Sequence, residues 1–391
     1  MYVPRDIKKK FDKISKSYNL IALVGARQAG KTTFLKHQMK SLHSSYVLFD
    51  DPDARTLFNE DIKKFEMQYI EGYKLSIFDE VQYCKDAGSK LKYLVDKDKK
   101  LWITSSSEII LGKEILAYLV GRVSIMRLYP FSFLEFLSAK DQKSLTSGIS
   151  ERIIWEHLTY GGYPKVVLTK DIDMKKIILR DLYETMLLKD VARTFSIEDL
   201  GSLERCAKYL AVTTGSIMSY DQVSKALNIS FQTLKKYLDA MEKSYLIKII
   251  TPFFTNKSKE ITKQPKVYYL DTGLRNVIAN NFSSEFDGRL FENYVLTELL
   301  KMDLTAKYWR TKAKTEVDFV VEQNEEVIPI EVKLKAGPNR IERSLRSFIT
   351  TYEPKRAIVV MYKGKKGETQ VNNCKVSFID IMGLWDIFKN I

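Results

Sequence analysis

Gly25-Ala26-Arg27-Gln28-Ala29-Gly30-Lys31-Thr32 is a G-x-x-x-x-G-K-[ST] run. The glycines let the backbone curl until its N–H groups face a phosphate, and the helix that follows points its positive end there. Lys31 is placed to reach the β- and γ-phosphates, and the Thr32 hydroxyl to ligate Mg²⁺. Gly25, Arg27, Gln28, Ala29, Gly30, Lys31, Thr32 and Thr33 are therefore the expected ATP contacts. Such a loop needs a second strand carrying carboxylates, and Leu75-Ser-Ile-Phe-Asp79-Glu80 supplies it. Asp79 would hold Mg²⁺ through water, and Glu80 would polarise the attacking water. Leu101-Trp-Ile-Thr104-Ser105-Ser106-Ser107 is a further apolar run ending in hydroxyls, one of which would sense the γ-phosphate. Ser106 is taken for that role, with Ser105 the alternative. Arg122 is the candidate cation for the transition-state charge. No N-K-x-D guanine signature is visible, which favours ATP.

A second set of chemical residues lies in the last hundred positions. Glu316-Val-Asp318-Phe-Val-Val321 and Val327-Ile-Pro-Ile-Glu331-Val-Lys333 read as strands of a hairpin, with Asp318 ending or bending the first. Glu331 and Lys333 are two apart, so both side chains leave the same face. Asp318 is then near enough to share a divalent ion with Glu331. Leu290 to Leu300, with Glu292 near its start, reads as an amphipathic helix.

The elements that position these residues follow from periodicity and punctuation. Leu20–Val24 reads as a buried parallel strand before the glycine loop. From Glu151 to Ile197 apolar residues recur at three and four, a helical lid or connector broken at Gly161-Gly162 and Pro164, where a hinge is expected. Helices follow at 203–210, 220–227 and 231–245, the last capped by Ser230, and then two strand-like runs at 246–254 and 265–270. Three helices and a hairpin is the winged-helix order. Nine Lys and five acids fall between Ser219 and Asp271. The third helix would present Gln232, Thr233, Lys235 and Lys236 to DNA, and the wing Lys257, Lys259, Lys263 and Lys266. A winged helix can equally be a protein-binding module, and that reading stays open.

The fold class expected is α/β: a P-loop AAA+-type parallel sheet at 1–136, a helical lid or connector at 137–200, a winged helix at 201–275 and an α/β domain at 285–391. Length agrees, since 391 residues suit two or three domains. Apolar residues at 45% and charged residues at 29% exclude a disordered or collagen-like chain. Sixty-three Lys and Arg against 49 Asp and Glu leave +14, which favours a polyanionic partner such as DNA. Three scattered Cys and three His argue against zinc. The absence of an apolar leader or of 18 consecutive apolar residues points to a cytoplasmic protein with no membrane partner.

Arg27-Gln28-x-Gly30-Lys31-Thr32, Ile77-Phe-Asp-Glu80, Thr104 to Ser107, Gly121-Arg122 and Leu128-Tyr-Pro-Phe-Ser-Phe-Leu-Glu-Phe136 occur in this order. Together they resemble a family of bacterial and archaeal AAA+-type ATPases with a large C-terminal region. Gly161-Gly-Tyr-Pro164 and Pro265-Lys-Val-Tyr-Tyr-Leu-Asp271-Thr-Gly273-Leu are similar to that family's later signatures. The resemblance implies ATP and Mg²⁺ as cofactors and a homo-oligomer if an arginine acts in trans. Ser105 stands where the family has glycine, and Phe131 where it has leucine. The order Glu292, Asp318, Glu331-x-Lys333, helix (341–349) resembles the PD-(D/E)xK nuclease superfamily. That resemblance implies that Asp318 and Glu331 hold Mg²⁺, Lys333 orients water and Glu292 supports the metal. The function expected is an ATPase acting on or binding DNA, with metal-dependent nuclease activity left open. The alternative is a nucleotide-controlled interaction switch with an inert nuclease-like scaffold.

Overall fold

The computed structural model describes residues 2–40, 42–106, 118–141, 147–255, 260, 263–283 and 287–389. Five short strands form the first sheet: β1 (Leu20–Val24), β2 (Ser44–Leu48), β3 (Leu75–Asp79), β4 (Leu101–Ser105) and β5 (Val123–Arg127). All neighbouring pairs are parallel and the order is β2-β3-β4-β1-β5. Every residue of β1, β3 and β4 is buried, as expected where helices cover both faces. Parallel pairing brings the C-terminal ends of all five strands to one edge, so the glycine loop, Asp79-Glu80 and Ser105-Ser106 meet there. Val123 opens β5 opposite Leu20, which opens β1. Arg122 therefore lies at the other edge, about 16 Å away along five residues of strand.

Helices Ser147–Tyr160, Pro164–Leu168 and Ile172–Thr185 follow, and the last runs into a π-helical segment at Met186–Arg193. Next come helices Leu200–Val212, Tyr220–Leu227 and Phe231–Lys243 and the antiparallel hairpin β6 (Ile247–Ile250) with β7 (Lys266–Tyr269). Ile217 adds a single bridge to Lys266, so the hairpin has a third short member. Ser230 caps the third helix by accepting from the Thr233 N–H at 3.0 Å.

The C-terminal sheet contains β8 (Ala306–Arg310), β9 (Glu316–Gln323), β10 (Glu326–Ala336), β11 (Arg356–Gly364), β12 (Gly367–Val371) and β13 (Cys374–Ile379) in the order β12-β13-β11-β10-β9-β8. Its centre, β10 with β11 and β11 with β13, is parallel, and both flanks are antiparallel. Two expectations change here. Asp318 lies inside β9, one step beyond the Phe319–Ile330 pair, rather than ending the strand. The helix Gly288–Lys301 is buried at every position from Leu290 to Leu299 and is not amphipathic. Its polar residues are used up by neighbours: Tyr294 bonds His157, and Glu298 accepts from Phe133 N and Trp385 Nε1.

The Gly161-Gly162 pair is also not the loose hinge expected. A Cβ on Gly161 would lie 2.0 Å from Asp271 Oδ1, and one on Gly162 would lie 2.4 Å from the Phe131 carbonyl. Gly162 N donates to Asp271 Oδ2 at 2.8 Å, and Asp271 also caps the helix Thr272–Ile278. Glycine is needed because three buried segments approach too closely for a side chain. Cys84, Cys206 and Cys374 are buried and unpaired. Among the described residues no helix is long and apolar enough to cross a membrane.

Gly273 packs against the preceding helix so tightly that a Cβ would sit 2.2 Å from the Tyr160 carbonyl oxygen. Gly273→Ala is expected to destabilise by about 1–3 kcal/mol in urea unfolding. An unchanged midpoint would show that this joint can relax.

Candidate functional site

The edge holding the glycine loop is built around one carboxylate. Asp79 is buried, and its Oδ2 accepts from Thr32 Oγ1 at 2.7 Å and from Tyr46 OH at 2.5 Å. Thr104 Oγ1 donates to Asp79 Oδ1 and accepts from Glu80 N at 2.9 Å. Thr104 can do both because β4 lies between β1 and β3. Glu80 has φ +61°, which turns the chain away at the end of β3. Gln82 joins Glu80 to Ser106, donating to both. Of the two serine alternatives, Ser106 is thus the one wired to Glu80, while Ser105 lies within β4 opposite Val24.

Lys31 Nζ donates to Gly25 O at 2.9 Å and Ala26 O at 3.0 Å. Burial lowers its pKa, and Glu80 and Asp79 counter part of that. Gly25 has φ +149° and no room for a Cβ against Leu128 O, and Gly30 has φ +100°. The hydroxyl and carboxylate oxygens of Thr32 and Asp79 are hard donors of the kind Mg²⁺ takes, so the side chains present fit that ion. Arg27 makes a fork to Asp190, with Nε to Oδ2 at 2.9 Å and Nη2 to Oδ1 at 2.8 Å. That bond raises its pKa further. Arg122 is not brought to this chain's own loop and pairs with Asp96 on the surface.

The C-terminal set does assemble. Asp318, Glu331 and Lys333 share one face of the β9–β10 pair. Asp318 Oδ2 accepts from Val332 N at 2.7 Å, and Lys333 Nζ lies 2.6 Å from Glu331 Oε1. Glu331 Oε2 is buried and has no hydrogen-bond partner. Burial and then Glu331 push Asp318 up to about 7, and burial raises Glu331 while Lys333 pulls it back. Glu292 is likewise pushed up to about 7, by burial and by Asp318. An orphaned carboxylate oxygen beside a second raised carboxylate fits a divalent cation. No group of three or more His, Cys, Asp or Glu forms a metal cage among the described residues.

Lys266 overturns its expected place on the wing. It is buried, with Nζ 3.0 Å from Glu292 Oε1 and 2.6 Å from Glu316 Oε1. Burial works against its charge, but Glu292, Glu316 and Asp318 outweigh that and raise its pKa. Tyr268 also donates to Glu292. Among the other expected nucleic-acid contacts, Gln232 and Lys235 are exposed, with Lys235 over the exposed Phe231 ring at 4.6 Å. Thr233 serves the helix cap, and Lys236 donates to Ser196 O. Lys263 is exposed, whereas Lys257 and Lys259 lie outside the described residues.

Sequence reasoning missed Tyr46, Gln82, Asp190, Tyr268 and Arg5, and gave Lys266 a different role. Thr104 was visible within a run of hydroxyls, but nothing in the pattern separates the buried Asp190 and Arg5 from charges on the surface.

A carboxyl whose pKa is raised by folding binds protons more readily in the fold than in the unfolded chain. Stability therefore falls as pH rises from the ordinary carboxyl range, about 4, through about 7. Asp318→Asn is expected to raise the melting temperature at pH 8 and to flatten the loss between pH 6 and 8. A variant less stable than the parent at both pH values would refute the repelling pair.

With this geometry in hand, likenesses to known proteins can be placed on the chain. The family described as "AAA domain" matches residues 17–137. Two described as domains of unknown function, DUF8612 and DUF4143, match 151–285 and 287–381. An uncharacterized protein of Haemophilus influenzae is 26% identical over 336 residues, covering 81% of this chain and 83% of its own. An uncharacterized protein of Methanocaldococcus jannaschii is 27% identical over 351 residues, covering 83% and 77%. Among solved structures, a Walker-type ATPase of Pyrococcus abyssi is similar over 71% of this chain and 96% of its own, at 15% identity and a TM-score of 0.47. The Bacillus subtilis DNA clamp loader delta protein is similar over 75% and 99%, at 11% identity and a TM-score of 0.27. The nucleotide loop lies within residues 17–137, which match the AAA domain, and the chain is an ATPase.

Proposed function

We propose that this ATPase acts on DNA, gripping it through a winged-helix-like module at 201–275 and cutting it at a PD-(D/E)xK-like site at 285–391. One observation carries the reading. In the C-terminal sheet, Asp318, Glu331 and Lys333 gather on one face, and Glu331 Oε2 has no partner. A lone buried carboxylate oxygen costs about 1–3 kcal/mol or more, so a cation is the expected occupant.

At the ATP site Gly25 to Thr33 cradle the phosphates, with Lys31 leaving its two carbonyl acceptors for the β- and γ-phosphates. Thr32 and Asp79 hold Mg²⁺, which when bound offsets charge on the transferring phosphoryl group. Glu80 takes the proton of the attacking water, and Gln82 and Ser106 fix its carboxylate. Arg122 lies at the far edge of the sheet, so its role in charge stabilisation is in trans and makes the working form a homo-oligomer.

At the C-terminal site Asp318 and Glu331 hold Mg²⁺, which when bound supplies a Lewis acid for phosphodiester cleavage. Lys333 orients the water. Glu292, already paired with Lys266, steadies the cluster from the helix behind it. Gln232 and Lys235 lie on the exposed face of the third helix and meet the duplex.

Lys266 favours a second reading. Its ammonium already compensates Glu292 and Glu316, so the cluster has an internal cation and can stand as a scaffold without a metal. The ATPase is then a nucleotide-controlled switch whose middle module binds protein.

Hydrolysis measured with and without DNA, with the DNA followed on a gel in Mg²⁺, separates the two. DNA-stimulated turnover and cleavage lost in Asp318→Ala support the first reading, and indifference with intact DNA supports the second. Lys31→Ala is expected to lose ATP binding. Glu80→Gln is expected to keep binding and lose about 100-fold or more in turnover, by analogy with removing a general base. Normal turnover in that variant would remove Glu80 from the role.

A further inference from the structure

The strand-ending motif Leu128 to Phe136 and the segment before the first helix have no part in the chemistry described above, yet they meet at the nucleotide loop. Arg5 is their meeting point. It is 6% exposed, and its guanidinium makes three contacts in different directions. Nη1 donates to Ala29 O at 2.8 Å, Nη2 donates to Tyr129 O at 2.6 Å, and Nε lies 3.0 Å from Glu135 Oε1. Glu135 is itself fixed. Its Oε1 also accepts from Asp6 N at 2.6 Å, its Oε2 accepts from Ser132 N at 3.0 Å, and its own N–H is taken by Ser132 Oγ at 3.1 Å. Ser132 Oγ in turn donates to Asp6 Oδ2 at 2.5 Å. The Phe131 ring closes one side, 4.9 Å from the guanidinium carbon.

Ala29 and Gly30 share a peptide, and no peptide bond among the described residues is cis. In a planar trans peptide the carbonyl and the following N–H point in opposite directions. Holding the Ala29 carbonyl on Arg5 therefore turns the Gly30 N–H to the other side, away from the guanidinium. Gly30 has φ +100°, a conformation open to glycine. An unrestrained peptide there can flip, presenting a carbonyl to the phosphates instead of a donor.

We propose that Arg5 is a positioning residue for triphosphate binding: it fixes the Ala29–Gly30 peptide so that the Gly30 amide faces the phosphates, with Glu135 as its anchor. The proposal rests on the reading of Gly25 to Thr33 as the ATP loop. Lysine cannot replace the arginine, because a single ammonium cannot span Ala29, Tyr129 and Glu135 as a planar fork does. Arg5 lies outside residues 17–137, so the AAA-type domain borrows this restraint from a neighbouring part of the chain.

The test is ATP and ADP affinity by titration calorimetry, with steady-state hydrolysis and thermal melting, on the full chain carrying Arg5→Lys, Glu135→Gln or Lys31→Ala. Loss of one charge-assisted hydrogen bond corresponds to about a tenfold to hundredfold change in binding. Arg5→Lys is expected to weaken both nucleotides by that factor and to raise KM in parallel, while kcat at saturation stays within about threefold. Glu135→Gln keeps the guanidinium but loosens its anchor, so it moves affinity in the same direction by less. A melting temperature lowered in Arg5→Lys with nucleotide affinity unchanged would make Arg5 a fold residue only and overturn the proposal. So would a fall in kcat with affinity intact. If Arg5→Lys does not fold, unchanged affinity in Glu135→Gln overturns it as well. Undiminished ATP binding in Lys31→Ala would instead sink the reading of the loop itself.

Discussion

The nucleotide edge depends on how one buried carboxylate is satisfied. Asp79 accepts from Thr32, Tyr46 and Thr104, which come from the helix after β1, from β2 and from β4. Hydrogen bonds to a charged group contribute about 1.5–3 kcal/mol each, and leaving such a group unpaired costs more than that. The three donors can converge only if β4 separates β1 from β3. The sheet order and the hydroxyl positions are therefore one constraint seen twice. Thr32 and Asp79 are the groups that would hold Mg²⁺, and Tyr46 and Thr104 keep the Asp79 carboxylate in place.

The same loop is tied to the rest of the chain at several points. Arg27 forks onto Asp190, which sits in a π-helical segment, and the Asp190 carbonyl accepts from Ser244 at the end of the third middle-region helix. A π-turn widens the helix by one residue per turn and commonly marks a functional position. Here it brings the Asp190 carboxylate to the loop and its carbonyl to Ser244. The glycine loop and the middle region are thus joined by a short covalent and hydrogen-bonded path. The Gly161-Gly162 joint is closely packed as well.

Much of this was legible in the sequence, for definite reasons. A glycine loop after an apolar run has one backbone solution, and β1 is Leu20–Val24 as read. Ser230 marked the start of its helix because an N-cap hydroxyl acts locally. Asp318, Glu331 and Lys333 converge because strand alternation is local too. What escaped was set by long-range packing. The helix around Glu292 reads as amphipathic in sequence, but neighbours on every side bury its polar groups. Gly161-Gly162 looked like a hinge because a glycine required by close approach has the same spelling as one required for freedom. Lys266 was counted with the basic wing, since one lysine in a charged stretch carries no sign of whether it faces phosphate or carboxylate.

Lys266 also bears on how the two halves of the chain are related. Its backbone belongs to the hairpin of the middle region, bridged to Ile217, while its ammonium neutralises acids of the C-terminal region. Burying a lysine is costly, and the cost is offset here only because Glu292 and Glu316 are both within ion-pair distance. The converse holds for Glu292, whose remaining partner is Tyr268 on the same strand. Neither the hairpin nor the acidic cluster is electrostatically complete alone. The middle region and the C-terminal region therefore meet electrostatically at this cluster, although different family models match them. β7 makes that link, since it carries both Lys266 and Tyr268 to the Glu292 carboxylate.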